Sequence, residues 1–222
     1  MTKPLKATIQ IIASCIKEGG KVLEVGSRCE AGQAKLADLR RVFNEANFTG
    51  VDMRKGPGVD KVMKGENLKF PSNSFDLVLC LELLEHADKP WLVTAELERV
   101  LKKNGLVIAS SQQNFPIHAH PSDYFRFTPF GLSSLFNKLK SKLVVTISPP
   151  FDDEVKLNPK HVILIGSKSK NEKLINKIKK AIKENKQKIN VHKPYRHRLR
   201  DGLKIIKRGL QEAVYQEEIV FW

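Results

Sequence analysis

The stretch KVLEVGSRCEAG, residues 21–32, decides the fold. It begins with a short apolar run that ends at Gly26, as a buried strand does where it enters a tight turn. Residues 31–46 then contain no Gly or Pro beyond Gly32, and their apolar positions recur at helical spacing: Ala34, Leu36, Leu39 and Phe43. This order predicts a strand, a glycine turn and a helix, an arrangement that can hold a nucleotide.

The same alternation extends in both directions from that stretch. An amphipathic helix is predicted over residues 6–17, and further helices at 90–101 and 128–139. Strands are predicted at residues 21–26, 48–53, 59–63, 75–81, 106–110, 143–147 and 162–165. No helix clearly separates the last two strands, so we expect an antiparallel hairpin there. The predicted class is α/β, a doubly wound, mostly parallel seven-stranded sheet with its ligand site beyond the carboxyl ends of the strands.

Length and charge divide the chain into a domain and a tail. With 222 residues and 41% hydrophobic residues, the chain can bury one substantial core, which we place at residues 1–167. Most of the net charge of +15 lies beyond that core, because residues 168–208 hold 16 Lys/Arg against 3 Asp/Glu. Apolar residues recur there at helical spacing on both sides of Pro194. Residues 168–222 are therefore predicted to form a tail of two basic amphipathic helices.

That tail has three possible partners on sequence grounds. It can pack on the domain or on a second subunit, lie on an anionic membrane surface, or follow a polyphosphate backbone. Packing is favoured first and a membrane surface second, while nucleic acid is favoured least, since no RNA-binding motif is present. A homo-oligomer also stays open.

The cysteines and the apolar run near the start indicate the cellular compartment of the protein. Cys15, Cys29 and Cys80 are odd in number and contain no Cys-x-x-Cys pair, so neither a disulfide framework nor a zinc ribbon is predicted. The apolar run near the start is short and is broken by Gln10, which does not favour export. We predict a cytoplasmic protein, with peripheral attachment to a membrane left open through the tail.

The glycine turn carries information on the ligand. A dinucleotide fingerprint needs glycine where Arg28 stands, so the turn argues against NAD. S-adenosyl-L-methionine has no pyrophosphate, and its loop needs close approach mainly at the first glycine, Gly26. Asp52, at the end of the second strand, suits the two hydroxyls of a ribose, and Met53 could pack on adenine. A solvated strand-end aspartate is the alternative for Asp52.

Ordered segments along the chain resemble the motifs of the class I S-adenosylmethionine-dependent methyltransferases, type 11 branch. They are residues 21–32, 50–60, 66–71, 74–80, 84–86, 99–102 and 123–132. The resemblance implies a Rossmann-like methyltransferase fold to about residue 167, S-adenosyl-L-methionine as cofactor, and transferase activity. It implies cofactor contacts from Glu24, Gly26, Ser27, Gly32, Asp52, Met53, Glu66, Asn67, Leu68, Cys80 and Leu81.

Two positions depart from the family pattern. One is Arg28 in the glycine turn, and the other is Lys64, where an acidic residue usually precedes the turn that contacts adenine. Adenine recognition would then rely on backbone groups and Glu66. A degenerate domain that does not bind the cofactor is the alternative.

The turn after the fourth strand contains Glu82, Glu85 and His86, which one helical turn would place on the same face. Carboxylates and an imidazole at this spacing are a candidate metal set, and some quinone-directed relatives that look alike here use such residues for a divalent ion. In many family members without metal, the equivalent residues brace the loop. We favour the brace and predict no metal.

Residues 112–127, between the fifth strand and the next helix, contain polar and aromatic side chains. In the family, insertions at this point cover the cofactor site, so we predict a substrate lid. Transfer of a methyl group to an alcohol would benefit from a general base, and His118, His120 and Tyr124 are the candidates. Asp123 and Arg126 could instead form an ion pair that shapes the lid.

The predicted activity is methyl transfer to a small polar, glycan-like or glycolipid-like acceptor. Residues 123–132 resemble relatives often associated with surface polysaccharide and glycolipid pathways, which is analogy rather than site chemistry. An RNA methyltransferase guided by the tail is the alternative enzyme, although Cys80-Leu81-Glu82-Leu83 stands where an Asn-Pro-Pro-Tyr base pocket would be. A scaffold subunit that binds the cofactor without catalysis is the third interpretation.

Overall fold

A computed structural model of the chain describes residues 1–16, 19–30, 32–43, 47–119, 121–147 and 159–189. The strands are β1 (Lys21–Val25), β2 (Asn47–Asp52), β3 (Lys61–Val62), β4 (Phe75–Leu81), β5 (Leu101–Gln112), β6 (Ser141–Ile147) and β7 (His161–Ser167). The helices are α1 (Lys3–Ala13), α2 (Ala34–Ala37), α3 (Pro90–Val100), α4 (Pro129–Ser134), α5 (Glu172–Glu184) and α6 (Lys186–Ile189). Single 3₁₀ turns lie at Arg40–Val42 and Leu84–His86.

The seven strands form one sheet in the order β3-β2-β1-β4-β5-β7-β6. β1 runs parallel to both β2 and β4, and β4 runs parallel to β5. β7 is inserted between β5 and β6 and is antiparallel to both. The predicted doubly wound sheet with an antiparallel strand near its end is confirmed. The carboxyl ends of the five parallel strands β1–β5 therefore meet at one edge, where a ligand site is expected.

Both faces of the sheet are covered, as the near-continuous apolar character of its central strands requires. In β4, Val78 and Cys80 face the layer of α3 and α4, while Leu77 and Leu79 face the layer of α1 and α5. All four are buried. Full burial of one such leucine is worth about 2 kcal/mol, so this alternation fixes the orientation of the strand.

The helix predicted over residues 31–46 is mostly absent. Within its described part, the chain forms only α2 and the 3₁₀ turn Arg40–Val42. Asp38 leaves helical geometry with ψ 112°, and its Oδ1 accepts the N–H of Arg40 at 3.0 Å. The Arg40 guanidinium then bonds the carbonyl of Gly58 and the carboxylate of Asp60. A side chain that bonds the local backbone competes with the helix, and here that bond ends it.

The helix predicted at 128–139 is also shorter, since α4 ends at Ser134. Thr128 caps its start, with its Oγ1 accepting the N–H of Gly131 at 3.0 Å. After α4, two backbone groups bond side chains of α3: the Leu135 carbonyl accepts Thr94 Oγ1–H at 3.0 Å, and the Lys138 N–H donates to Glu98 at 2.7 Å. These tertiary bonds satisfy groups that a longer helix would have paired.

The basic segment after residue 167 begins with α5, whose Ile175, Ile178 and Ile182 are buried. They pack in the same apolar layer as α1, and α5 belongs to the same compact unit as the sheet. The second basic helix, predicted around residues 199–214, lies outside the described residues. The boundary at 167/168 and the tail as a whole stay predictions. Among the described residues, no helix is long and apolar enough to cross a membrane.

Candidate functional site

The turn after β1 is held against β2 by its backbone. Gly26 has φ +85°, and the N–H groups of Gly26 and Ser27 donate to the Val51 carbonyl at 2.8 and 3.1 Å. A Cβ at Gly26 would lie 2.5 Å from Cδ1 of Leu83. Glycine is therefore needed here for its left-handed φ and for the packing of Leu83. From the sequence, we had predicted that glycine is needed at this position so that a cofactor can approach the backbone.

The loop after β2 packs tightly on the same turn. A Cβ on Gly58 would collide with the carbonyl oxygen of Ser27, and Cys29 N–H donates to Pro57 O at 2.9 Å. Ser27 is buried as a result. Arg28 lies over Gly56 in this loop, its Nε 2.9 Å from where a glycine Cβ would stand. Arg28 is thus part of the packing between two loops.

Asp52 and Met53 lie at the carboxyl end of β2. Asp52 is half-buried, and its Oδ1 accepts the N–H of Arg54 at 2.9 Å. Beside it, the side chains of Met53 and Val62 are 62% and 57% exposed. Large apolar side chains this open at the end of a parallel strand leave an apolar surface next to a carboxylate. That combination suits a nucleoside, which has a flat base and a diol.

Side chains of α3 hold the turn at residues 64–70 through hydrogen bonds. Glu96 accepts the Leu68 N–H at 2.8 Å, and Arg99 donates to the carbonyls of Leu68 and Phe70 at 2.8 and 2.7 Å. Arg99 also makes two bonds to the Glu96 carboxylate, at 2.7 and 2.8 Å. These charge-assisted bonds lower the pKa of Glu96 and position the turn. The role of Glu96 was missed from the sequence.

Three predicted cofactor residues that lie in strands, Glu24, Cys80 and Leu81, have buried side chains. Glu24 is 6% exposed, and burial raises its pKa to about 8, with partial compensation from Arg40. Cys80 and Leu81 lie in the apolar layers on the two faces of the sheet. Burial also raises the pKa of the Cys80 thiol. A ligand above β4 would therefore meet the backbone of these two residues.

Among the predicted cofactor positions in loops, Gly32, Glu66 and Asn67 are more open than Leu68. Gly32 has φ +76°, and nothing lies within 4 Å of where its Cβ would stand. Glu66 is half-buried and Asn67 is exposed, and Asn67 Oδ1 accepts Lys69 Nζ–H at 2.9 Å. Leu68 is buried under the turn. Their contacts with a cofactor stay predictions.

Glu82, directly after β4, has φ +55°, an uncommon conformation for a residue with a side chain. Its carboxylate accepts bonds from Ser110 Oγ at 2.8 Å, Gln112 Nε2 at 3.0 Å and His161 Nδ1 at 3.0 Å. These bonds, that of His161 above all, outweigh burial and lower the pKa of Glu82. His161 was not predicted, because it lies 79 residues away in the chain.

Glu85 points in another direction and is fully buried. One carboxylate oxygen, Oε2, accepts Ser111 Oγ–H at 2.6 Å, while Oε1 has no hydrogen-bond partner among the described residues. Burial, together with the charge of Glu82, raises the pKa of Glu85 to about 8. The Glu85 carbonyl accepts the N–H groups of Tyr124 and Phe125 at 2.8 and 3.2 Å. The turn after β4 thus braces the lid, residues 112–127.

An ion pair shapes the lid itself. Both terminal nitrogens of Arg126 lie 2.7 Å from the Asp123 carboxylate, whose side chain is 1% exposed. Arg126 also donates to the carbonyls of Phe115 and Pro116 at 3.0 Å. The pKa of Asp123 is held well below its usual range, mainly by the Arg126 bond. The predicted ion pair is present.

The catalytic candidates lie in or beside the lid. His118 packs edge to face on His86, with 4.8 Å between ring centroids, and its Nδ1 is 3.1 Å from Asp123 Oδ2. The Tyr124 side chain is 51% exposed. His120 lies outside the described residues. The structure brings His118 to His86 and Glu85, whereas Glu82 is paired with His161.

Comparison with known proteins bears on what binds at this edge. Residues 23–109 match the family model described as a methyltransferase domain. This segment includes the turn after β1, the end of β2 and all of β4. The match covers less than half of the chain, and it indicates a methyltransferase domain in residues 23–109. The family's cofactor is S-adenosyl-L-methionine.

A curated relative of the methyltransferase domain is the ubiquinone biosynthesis O-methyltransferase of Photobacterium profundum. It is 31% identical over 108 residues, which cover 42% of this chain and 44% of the relative. The match thus spans less than half the length of that relative.

Solved structures share the fold at low sequence identity. One, from Thermotoga maritima, is described as a possible histamine N-methyltransferase, with TM-score 0.54, 17% identity and coverage of 75% of this chain and 91% of its own. Another is the 1,6-didemethyltoxoflavin-N1-methyltransferase of Burkholderia thailandensis, solved with S-adenosylhomocysteine, with TM-score 0.53, 16% identity and coverage of 74% and 77%. These likenesses concern the fold.

The residues of the methyltransferase domain fit this cofactor. Asp52 offers carboxylate oxygens to the ribose hydroxyls, and the exposed Met53 and Val62 offer an apolar surface to adenine. Gly26 adds no side chain at the end of β1, and Leu83 packs where its Cβ would stand. Arg28 is no obstacle, because it packs over Gly56.

Proposed function

We propose that the protein is a methyltransferase that transfers the methyl group of S-adenosyl-L-methionine to an acceptor held under the lid. One observation supports this above the others. The carboxyl edge of β1 and β2 carries a carboxylate at Asp52 beside the open apolar surface of Met53, within a domain of this family. The cofactor, when bound, supplies an electrophilic methyl group on a sulfonium. The chain then has to position the acceptor and exclude water.

The lid and the turn after β4 would perform those two tasks. The Asp123–Arg126 pair and the bonds to the Glu85 carbonyl hold the lid beside the end of β4. Preorganised segments of this kind limit the motion of a bound acceptor and lower the entropic part of the barrier.

For the acceptor we propose a small polar, glycan-like or glycolipid-like molecule. Polar side chains lie on this side: Glu85, His86 and His118 form one cluster, and Glu82 pairs with His161. Such side chains suit an acceptor rich in hydroxyl groups, and residues 123–132 add the family resemblance noted above. The cytoplasm stays the proposed compartment, supported by three free and buried cysteines.

His118 is the proposed general base for a hydroxyl acceptor. Its position 3.1 Å from the Asp123 carboxylate orients the ring, as an acid partner does for many catalytic imidazoles. The double variant His118→Ala/His120→Ala should lose turnover without losing affinity for the cofactor. Unchanged turnover in that variant would remove the histidines from the chemistry.

Calorimetry with S-adenosyl-L-methionine tests the core of the proposal. The full chain should bind it, and Asp52→Ala should weaken binding about tenfold, since charge-assisted bonds to a diol are worth about 1.5 kcal/mol. Asp60→Ala is the matched control, because Asp60 bonds Arg40 and the Gly50 N–H rather than the open site. A wild-type chain with no measurable binding would reject the enzyme and support the degenerate domain that does not bind the cofactor. Transfer of a labelled methyl group to a panel of sugars, glycolipids and RNA would then identify the acceptor class.

A further inference from the structure

Three potential metal ligands meet between the turn after β4 and the lid. Glu85, His86 and His118 each offer one donor atom, and these atoms all lie within 4.8 Å of one another. Glu85 and His86 belong to the 3₁₀ turn Leu84–His86, and His118 belongs to the lid. The cluster therefore joins two segments that are 32 residues apart in the sequence.

The carboxylate of this cluster lacks one of the hydrogen bonds that a buried carboxylate needs. Glu85 is fully buried, and its Oε1 has no hydrogen-bond partner among the described residues. A buried polar oxygen without a partner costs about 1–3 kcal/mol, so it calls for a ligand such as an ion. Arg126, the nearby cation, is already engaged in two bonds to Asp123. A cation beside Glu85 would satisfy Oε1.

The two imidazoles are oriented as ligands usually are. His86 donates its Nδ1–H to the Ser122 carbonyl at 2.6 Å, and His118 Nδ1 lies 3.1 Å from Asp123 Oδ2. Within the described part of the chain, the Nε2 of neither ring has a hydrogen-bond partner. Outer contacts of this kind fix the tautomer and the direction of metal-binding histidines.

We propose that Glu85, His86 and His118 bind a divalent transition-metal ion, of the zinc type, which fastens the lid to the turn after β4. One carboxylate and two imidazoles favour zinc, cobalt or nickel over magnesium, which prefers oxygen ligands. Three protein ligands also leave a coordination position for water or an acceptor oxygen. This inference goes beyond the proposed function, because it requires no methyl transfer. It competes with the proposed role of His118 as a base, since an imidazole nitrogen that binds the ion cannot also accept a proton.

The proposed set differs from the one that the sequence suggested. Glu82 was a member of that set, but its carboxylate is occupied by Ser110, Gln112 and His161. His118, which the sequence suggested only as a base, takes its place. Ligand atoms on a tetrahedral ion are roughly 3.4 Å apart, given bonds of about 2.0–2.1 Å. A separation of up to 4.8 Å thus requires the lid to move inward by about 1 Å when the ion binds.

Titration of the metal-stripped full chain with Co²⁺ tests this site. Wild-type protein should bind one Co²⁺ with visible d–d absorption bands, which report the ligand geometry, and Zn²⁺ should displace it while millimolar Mg²⁺ should not. His118→Ala and Glu85→Gln should each weaken binding at least tenfold and change the bands. His118 is partly exposed on the lid, so its removal should leave the fold intact. Near-ultraviolet circular dichroism checks this for both variants.

Two control variants sharpen the result. His192→Ala/His197→Ala removes two histidines of the chain outside the cluster and should leave Co²⁺ binding unchanged. Glu82→Gln should retain binding within about threefold, whereas the ligand set suggested by the sequence would lose it. Zn²⁺ should also slow limited proteolysis within the lid of the wild type, but not of His118→Ala.

Several outcomes would overturn the proposal. They are the absence of bands at equimolar Co²⁺, unchanged binding by His118→Ala, or loss of binding in the tail double variant. Calorimetry with S-adenosyl-L-methionine in the presence of a chelator separates this inference from the proposed function. Cofactor binding without Co²⁺ binding rejects the metal alone, whereas Co²⁺ binding without cofactor binding rejects the methyltransferase.

Discussion

The two halves of the site are built in different ways. The cofactor edge consists of the turn after β1, the end of β2 and the turn at residues 64–70, and the bonds that hold it link residues at most 31 positions apart. The proposed acceptor edge consists of the turn after β4, the lid and the start of β7. Its bonds link Glu82 to His161 across 79 positions and His161 to Thr2 across 159. The first edge is mostly local structure on a strand end, while the second exists only after the sheet has closed.

The strongest test of the cofactor edge is Gly26→Val. The left-handed φ costs about 1–3 kcal/mol for a residue with a side chain, and the contact with Leu83 adds to it. We expect a loss of about 3 kcal/mol in the free energy of unfolding and about 100-fold weaker cofactor binding, measured by urea denaturation and calorimetry. Gly32→Val is the matched control, because it has a similar φ but open space around it. Equal losses in both variants would remove the Leu83 contact as the cause.

Stability should also depend on pH through Glu24. Its pKa rises from 4.5 to about 8 on folding because the carboxyl is buried, so the folded state holds a proton that the unfolded state releases. This contribution is complete below about pH 4.5 and is lost as pH rises through about 8. Between pH 6 and 9 the loss from this group should be on the order of 2 kcal/mol, measured by urea denaturation. Glu24→Gln should flatten that dependence, and an unchanged slope would contradict the assignment.

Arg99→Met tests the support beneath the cofactor edge. Arg99 holds the carbonyls of Leu68 and Phe70, so its loss should loosen the turn at residues 64–70. We expect about tenfold weaker binding of S-adenosyl-L-methionine, or about 1.4 kcal/mol, by calorimetry. KM for the acceptor should not change. A shift in that KM with cofactor affinity intact would show that the two edges are coupled through α3.

Asp123→Asn should affect the acceptor edge alone and have the smallest effect. It removes the charge that pairs with Arg126 and His118, while the shape of the side chain stays nearly the same. We expect KM for the acceptor to rise about threefold to fivefold with unchanged cofactor affinity, because the amide oxygen of asparagine still accepts from Arg126 and a charged acceptor is worth about 1 kcal/mol more than a neutral one. Steady-state kinetics at saturating cofactor measure this. Weaker cofactor binding would mean that the lid belongs to both edges.

Much of the fold followed from patterns in the chain. The buried strands were predicted near their observed positions, because they produce apolar runs in the sequence. β3 was also predicted, although both of its residues are exposed, and β5 begins at Leu101, before the predicted 106–110. Helix ends were less predictable. The bond from Arg40 N–H to Asp38 ends the helix after β1, and a bond from Thr94 of α3 pairs the Leu135 carbonyl after α4. The spacing of apolar residues does not reveal either partner.

For the candidate site, the sequence by itself determined the glycine turn, the acid at Asp52 and the resemblance to the family, because these depend on residues next to strand ends. Only the tertiary structure decided that Gly26 makes room for Leu83, that Arg28 packs on Gly56, and that Glu82 pairs with His161. It also separated Glu82 from Glu85 and brought His118 to the latter. The physical reason is that a side chain's partner is set by strand order and loop packing, which bring together residues far apart in the chain.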